Sequence, residues 1–189
     1  MNTTADPIAE RRLAWWRWSG FFLGCAAFFL SFFHRVCTGA IAADLQQEFQ
    51  IGAAALGTLG ATYFYIYGLT QVPLGVMIDT IGPRIIMSVG MLVAGAGSLA
   101  YGLAETFATA AAARTLIGLG VSGVFVCTLK LHANWFAERR FATAVGVSNV
   151  SGILGAMAGT APLAWLITVM PWRHVFIAIG ALSVVLAAA

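Results

Sequence analysis

Six long apolar stretches, separated only by short polar segments, constrain the fold of this 189-residue chain more than any other feature. About 20 helical residues cross the hydrocarbon core of a bilayer, which is about 30 Å thick. Inside that core only helices and closed barrels satisfy their own backbone hydrogen bonds, and stretches of this length favour helices. They occupy residues 19–43, 53–78, 84–104, 107–133, 141–169 and 173–189. The sequence therefore predicts an all-α, polytopic membrane protein with six transmembrane helices.

Composition excludes the main alternative classes. Hydrophobic residues make up 60% of the chain and charged residues only 9%, whereas a soluble domain has about 25% charged residues. The basic residues are dispersed, so we expect the lipid bilayer and not nucleic acid as a partner. The apolar stretches contain no metal-ligand cluster and no Ser/His/Asp set, so we expect no enzyme activity, no bound metal and no cofactor.

The basic residues alternate from one side of the predicted membrane to the other. The first and third connections carry no basic residue, only Asp44, Glu48 and Glu105, and the fifth connection carries Arg173. The N-terminal segment, the second connection and the fourth connection are basic: Arg11, Arg12, Arg17, Arg84, Arg139 and Arg140. Basic connections stay in the cytoplasm, so residues 1–18 are predicted to form a cytoplasmic N-terminal segment. We call the side with Arg84 and Arg139 the basic surface, and the side with Asp44 and Glu105 the acidic surface.

The bundle of residues 19–189 contains a faint internal repeat. Stretches one to three recur as four to six at an offset of about 88 residues, with Pro83-Arg84 and Pro171-Trp172-Arg173 opening the third and the sixth. Two triplets of helices must have opposite topology, and such inverted repeats are typical of secondary transporters. The last stretch ends without a polar tail, so we interpret the chain as truncated at its C-terminus within the sixth span.

The connection after the second stretch, residues 75–84, carries the most specific motif. It resembles the cytoplasmic loop motif of the major facilitator superfamily, Gly-x-x-x-Asp-Arg/Lys-x-Gly-Arg-Arg/Lys. Thr80 and Pro83 replace two basic residues of that motif, so Asp79 and Arg84 must form any latch at this surface. Four residues keep their motif positions: Gly75, Asp79, Gly82 and Arg84.

Three further segments resemble the same family in the expected order. They are Arg114-x-x-x-Gly118-x-Gly120, Trp135-Phe136-Ala137-Glu138-Arg139-Arg140 and Trp172-Arg173-x-x-Phe176. The resemblance implies the N-terminal six-helix half of a twelve-helix transporter of the bacterial inner membrane. It also implies alternating access, with a pocket completed by a C-terminal six-helix bundle or by a second copy. Glu138 and Arg139 join the predicted cytoplasmic gating set.

Within the superfamily, residues 63–75 are similar to the second helix of organic-anion symporters and of phagosomal transporters. In anion symporters an acidic residue precedes the first-helix arginine, and another follows the fourth-helix arginine by seven positions. His34 and Val121 stand at those positions here. The resemblance implies transport of a small polar, anionic metabolite, and we expect a proton as the coupling ion. The alternative is a membrane interaction or regulatory protein that keeps the half-bundle without transport.

Arg35 is the strongest candidate for substrate binding. It lies past the middle of the first stretch, where a lipid-facing charge costs roughly 2.5–3.5 kcal/mol, so we expect it to face the bundle interior. Its guanidinium could hold a carboxylate or a phosphate in bidentate fashion. Alternatively, it reaches the acidic surface or binds backbone carbonyls. Four further candidates follow from one stripe of the second stretch and from the fifth stretch: Tyr63, Tyr67, Gln71 and Asn149.

The polar stripe of the second stretch has a second interpretation, since membrane bundles also use such residues for bonds between helices. The coupling candidates have alternatives too. His34 could carry a proton, because an imidazole titrates near neutral pH, or it could simply bond a neighbour. Arg114 meets the same membrane penalty as Arg35 and has either a structural or a coupling role.

Overall fold

The computed structural model describes the backbone of residues 7–188 and the side chains of residues 15–188. Residues 1–6, Ala189 and the side chains of Arg11 and Arg12 therefore lie outside the described residues. The described backbone is helical, without strands, as the sequence predicts.

The described residues form nine helices. These are α1 (Pro7–Ala40), α2 (Ala42–Phe49), α3 (Ala53–Thr80), α4 (Pro83–Gly102), α5 (Phe107–Val121), α6 (Val124–Trp135), α7 (Glu138–Ala158), α8 (Ala161–Leu166) and α9 (Trp172–Ala188). The first three predicted spans correspond to α1, α3 and α4. The fourth corresponds to α5 with α6, the fifth to α7 with α8, and the sixth to α9.

The helix limits differ from the sequence expectation in three places. The described part of the first helix already includes Pro7, 12 residues before the predicted start of the span at residue 19. The polar segment after it forms α2, which ends at Phe49 and is capped by Gln50 in the left-handed region with a φ of 52°. The fifth predicted span breaks after Ala158 because Pro162 has no N–H to donate to the carbonyl four residues earlier.

Within the described part of the chain, four helical stretches are long and apolar enough to cross a membrane: Trp15–Ala40, Pro83–Gly102, Phe107–Trp135 and Glu138–Leu166. The α3 helix has 28 residues and is therefore about 42 Å long, although glycines, threonines and tyrosines dilute its apolar surface. The α9 helix has 17 described residues and is also apolar.

The closest helix packing follows the predicted repeat. The α1 helix packs on α7, α3 packs on α5, and α4 packs on both α5 and α9. The repeat relates span one to span four, span two to span five, and span three to span six. Under this exchange the pair of spans one and five becomes the pair of spans four and two, which also pack together. The pair of spans three and six is converted into itself. The bundle therefore has the pairing symmetry of a 3+3 inverted repeat.

Small residues allow this close packing. A Cβ atom built on Gly155 of α7 would lie 2.1 Å from the carbonyl oxygen of Phe29 in α1. Lipid supplies no hydrophobic drive between helices, so backbone contacts of this kind stabilise the bundle through dispersion. The α1–α7 pair therefore helps to fix the position of α1, the helix that carries Arg35.

Candidate functional site

Arg35 projects from α1 across the bundle towards α3. Its Cζ lies 4.6 Å from the ring centroid of Phe32 and 5.2 Å from that of Tyr67 in α3. The side chain is half-buried, and Arg35 pairs with no carboxylate among the residues whose side chains are described. Its buried Nε also has no hydrogen-bond partner there. A guanidinium held between two rings without a counter-charge can accept an anion.

The three candidates on α3 have different surroundings. Tyr63 is fully buried, and its hydroxyl donates to the carbonyl of Ser31 at 3.3 Å. Tyr67 stacks on Tyr63 with ring centroids 6.2 Å apart, and it lies beside Arg35. The Nε2 of Gln71 donates to the carbonyl of Ser122 at 3.0 Å. Tyr63 and Gln71 thus make the interhelical bonds that the sequence left open as an alternative, and Tyr67 adjoins the arginine.

Arg114 of α5 is 1% exposed and lies behind Tyr63. Its Nη2 donates to the carbonyl of His34 at 3.0 Å, and its Nη1 lies 3.6 Å from Sγ of Cys37. The guanidinium also lies over the rings of Tyr63 and Tyr101, at 5.2 and 5.7 Å. All these partners are neutral. The described carboxylates lie in connections or near helix ends, at Asp44, Glu48, Asp79, Glu105 and Glu138.

His34 and Arg35 face different neighbours, since successive residues of a helix point about 100° apart. The His34 ring is 1% exposed and packs against Phe33 and Phe176, with centroid distances of 5.8 and 6.2 Å. Neither ring nitrogen has a hydrogen-bond partner in the described part of the chain. The structure therefore brings His34 next to α9 and, through its carbonyl, to Arg114, but not into the ring sandwich around Arg35.

Asn149 is exposed on α7 and borders a small cavity of about 10 Å³ between α1, α6 and α7. The neighbouring Ser148 forms a network that sequence reasoning missed. Its Oγ lies 2.7 Å from Nε2 of His132 and 3.5 Å from Sγ of Cys25. Polar residues inside apolar helices indicate that such bonds exist. The sequence does not show which residues bond to one another, because Cys25, His132 and Ser148 lie on three different helices.

The two predicted latch residues at the basic surface, Asp79 and Arg84, make separate contacts. Asp79 forms its ion pair with Lys130 of α6, which also donates to the carbonyl of Ile78 at 3.4 Å. Arg84 lies over the ring of Trp135, with its Cζ 5.7 Å from the centroid.

The turn between α3 and α4 positions Arg84. Gly82 has a φ of 103°, a conformation that side chains disfavour, and it turns the chain directly into α4. Arg84 lies in the first turn of α4 and contacts Trp135 at the end of α6. Gly75 is half-buried within α3, and Glu138 and Arg139 are exposed in the first turn of α7. A carboxylate in a first helical turn is favoured by the helix dipole.

The acidic surface holds a second ion pair that sequence reasoning did not identify. Glu48 of α2 accepts hydrogen bonds from Nε and Nη2 of Arg173, at 2.9 and 2.6 Å, and from Nε1 of Trp172 at 2.8 Å. Nη1 of Arg173 also donates to the carbonyl of Gly102, the last residue of α4, at 3.0 Å. We call these four residues the outer clamp, which joins α2, α4 and α9. Glu48 and Arg173 are 125 positions apart, so no local pattern indicates that they meet.

Comparison with known structures shows the fold. The chain is similar to a bacterial homologue of the human lysosomal transporter Spinster, solved in an inward-facing and unoccupied conformation. The TM-score is 0.78 at 19% sequence identity, and the match covers 91% of this chain and 42% of that one.

Several curated proteins are similar in sequence. The chain is 28% identical over 143 residues to the probable L-galactonate transporter of Escherichia coli K12, covering 76% of this chain and 32% of the relative. It is 27% identical over 179 residues to the hexuronate transporter of the same strain, covering 95% and 41%. It is 31% identical over 160 residues to the uncharacterised transporter YybO of Bacillus subtilis, covering 82% and 36%. The chain thus spans between 32% and 41% of the lengths of these relatives.

The family assignment rests on most of the chain. The model of the Major Facilitator Superfamily matches residues 14–189, which include every motif that the sequence analysis used. The apolar helices and the family match agree with a membrane-embedded protein. The chain therefore belongs to the major facilitator superfamily and has the fold of its N-terminal six-helix half.

Proposed function

We propose that the chain forms the N-terminal half of a secondary active transporter that carries a small polar organic anion by alternating access. The observation that carries this proposal is Arg35, a half-buried cation within the first span that has no carboxylate partner among the described side chains. The names of the relatives, which are transporters of galactonate and hexuronate, support an anion as the cargo. The protein acts in the bacterial inner membrane with its N-terminus in the cytoplasm.

In this proposal Arg35 binds the carboxylate, and Tyr67 adds a hydroxyl donor beside it. Asn149 contacts the far end of the substrate from α7. Tyr63 and Gln71 support the site through their bonds to the carbonyls of Ser31 and Ser122. A C-terminal six-helix bundle, or a second copy of this one, closes the other side of the pocket.

A proton is the coupling ion in this proposal. His34 accepts it, since its buried imidazole has no partner in the described part of the chain. Arg114 is bonded to the His34 carbonyl and therefore responds to any movement of that turn of α1. At the basic surface, the Asp79–Lys130 pair holds α3 to α6 and has to adjust when the bundle rocks. The remaining gating residues shape the same surface: Gly75, Gly82, Arg84, Glu138 and Arg139.

The test of anion transport uses the product of the whole gene in proteoliposomes. Uptake of labelled D-galactonate, D-glucuronate and 4-hydroxybenzoate is measured for the wild type and for Arg35→Ala. We expect uptake of at least one of these anions, reduced at least tenfold by Arg35→Ala. Arg140→Ala, which removes an exposed arginine at the basic surface, is the control and should leave uptake unchanged.

Uptake that Arg35→Ala leaves intact would contradict the proposed role of Arg35. Absence of uptake of all three anions would favour the alternative of a membrane interaction protein. Proton coupling is tested separately with His34→Gln. That variant should lose uptake driven by an imposed pH gradient but retain exchange of labelled for unlabelled substrate. Retention of gradient-driven uptake by this variant would overturn the coupling role of His34.

A further inference from the structure

The face of α1 that carries Arg35 also carries a row of aromatic side chains. Phe28, Phe32 and Arg35 follow one another at spacings of four and three residues and so share one stripe of the helix. The Arg35 Cζ lies 4.6 Å from the Phe32 centroid, Phe32 lies 5.0 Å from Phe28, and Phe28 lies 5.8 Å from Phe125 of α6. We call Phe28, Phe32 and Phe125 the aromatic ledge.

The aromatic ledge is accessible at its two ends. Phe125 is 42% exposed and Phe32 is half-buried, whereas Phe28 is buried between them. Gly152 of α7 supports the ledge from behind, since a Cβ at this position would lie 2.7 Å from the Phe28 ring and 3.1 Å from the Phe32 ring. The ledge is thus a firm apolar surface that begins directly at the cation.

Polar groups beside the ledge are few among the described residues. Asn149 of α7 is the exposed one, since it borders the same small cavity as Phe28 and Phe125. The Gln71 amide N–H and the Tyr63 hydroxyl are already bonded to backbone carbonyls. The Tyr67 hydroxyl and the unpartnered Thr38 hydroxyl both lie near Arg35 or one turn from it, not along the ledge. A polyhydroxylated acid lying along this surface would therefore bury hydroxyl groups without hydrogen-bond partners, which is costly. A flat aromatic body would instead gain contact with the rings at its own favoured spacing.

We propose that the substrate of this site is an aromatic monocarboxylate, whose carboxylate pairs with Arg35 while its ring lies on Phe32 and Phe125. This inference rests on the proposed function and names the chemical class of its anion. Arg35 supplies a charge-assisted bond for the carboxylate. The ledge supplies selectivity, because it offers a ring surface, and the Asn149 amide near Phe125 is the one exposed polar group of the described residues that borders the small cavity at that end.

The experiment is a calorimetric titration of the purified whole-gene product in lipid nanodiscs at pH 7, with empty nanodiscs as the blank. The probes are 4-hydroxybenzoate, D-galactonate and nitrate, each as the sodium salt at constant ionic strength. We expect 4-hydroxybenzoate to bind at least tenfold more tightly than the other two anions. Phe125→Ala should weaken it about three- to tenfold, the usual contribution of an aromatic pair.

Controls separate recognition from folding. Phe64→Ala removes an exposed aromatic side chain of α3 that lies outside the ledge, and it should leave all three affinities unchanged. Phe125→Leu keeps an apolar side chain and should give an intermediate affinity for 4-hydroxybenzoate. Thermal unfolding of each variant shows that it remains folded.

The outcomes distinguish this inference from the proposed function. Arg35-dependent binding of D-galactonate or nitrate that is tighter than that of 4-hydroxybenzoate would overturn the aromatic substrate and leave anion binding intact. The inference is also overturned if Phe125→Ala lowers the affinities for all probes equally, since the ring would then act only on the structure. Arg35→Ala without effect on the binding of any probe would overturn both proposals.

Discussion

At the scale of the residue, Arg114 illustrates how a bundle accommodates a charge that has no carboxylate beside it. Its guanidinium donates to a backbone carbonyl and lies over two tyrosine rings. The partial negative charges of the carbonyl oxygen and of the ring faces stabilise the cation in place of a carboxylate. The arrangement needs α1, α3, α4 and α5 together, because each contributes one of the contacts. The sequence placed Arg114 inside the membrane, but only the structure identifies what compensates it.

Arg114→Met should lower the free energy of unfolding by about 2–4 kcal/mol. The methionine fills part of the volume but loses the hydrogen bond to His34 and the cation–π contacts. Reversible unfolding in mixed detergent micelles measures the change, with the exposed Arg140→Met as a control that should change little. If Arg114→Met were as stable as the wild type, the desolvation cost of the buried charge would outweigh its contacts.

At the scale of the element, an interruption in a helix leaves backbone carbonyls without their usual N–H donors, and polar side chains can donate to them instead. The fourth predicted span is interrupted at Ser122 and Gly123, where the regular bonding pattern of the backbone changes. Gln71 of α3 donates to the Ser122 carbonyl at this point. The sequence placed Gln71 correctly on a polar stripe, but its bond to Ser122 depends on a break that hydropathy does not reveal.

Two glycines of α7 should respond in opposite directions to the same substitution. Gly155→Ala should lower the melting temperature, because the new Cβ would lie 2.1 Å from the Phe29 carbonyl oxygen and would force α1 and α7 apart. Gly146→Ala meets no atom within 4 Å and should raise stability slightly, by about 0.5–1 kcal/mol of helix propensity. Thermal unfolding of the two purified variants compares them, and equal effects would contradict the packing described here.

At the scale of the whole molecule, the inverted repeat and the outer clamp organise the bundle differently. The repeat sets which spans pair, and it is visible in the sequence as similar segments about 88 residues apart. The outer clamp joins α2, α4 and α9 through one carboxylate and one guanidinium, and it has no counterpart that the repeat predicts.

Glu48→Gln and Arg173→Gln should each destabilise the bundle, and a double-mutant cycle should give a coupling of about 1 kcal/mol. This value is modest because the side chains of Arg173 and Glu48 are 26% and 38% exposed, so solvent screens the pair. The coupling should decrease as salt is raised from 0.05 to 0.5 M, on the order of the range over which surface pairs are screened. Glu105→Gln, which changes an exposed residue at the same surface, is the control. A coupling of zero at low salt would contradict the clamp.

The sequence by itself determined the all-helical membrane fold and the family, and it predicts that Arg35 and Arg114 lie within the membrane. These follow from local properties, because the length of an apolar run and the spacing of a motif are written along the chain. Only the tertiary structure decided that Asp79 pairs with Lys130, that Glu48 meets Arg173, and that the His34 ring packs against Phe176 of α9. Such contacts depend on how helices rotate and approach one another. Small residues such as Gly155 control that approach. Gly155 contacts Phe29, which is far away along the chain, so no local sequence pattern indicates the contact.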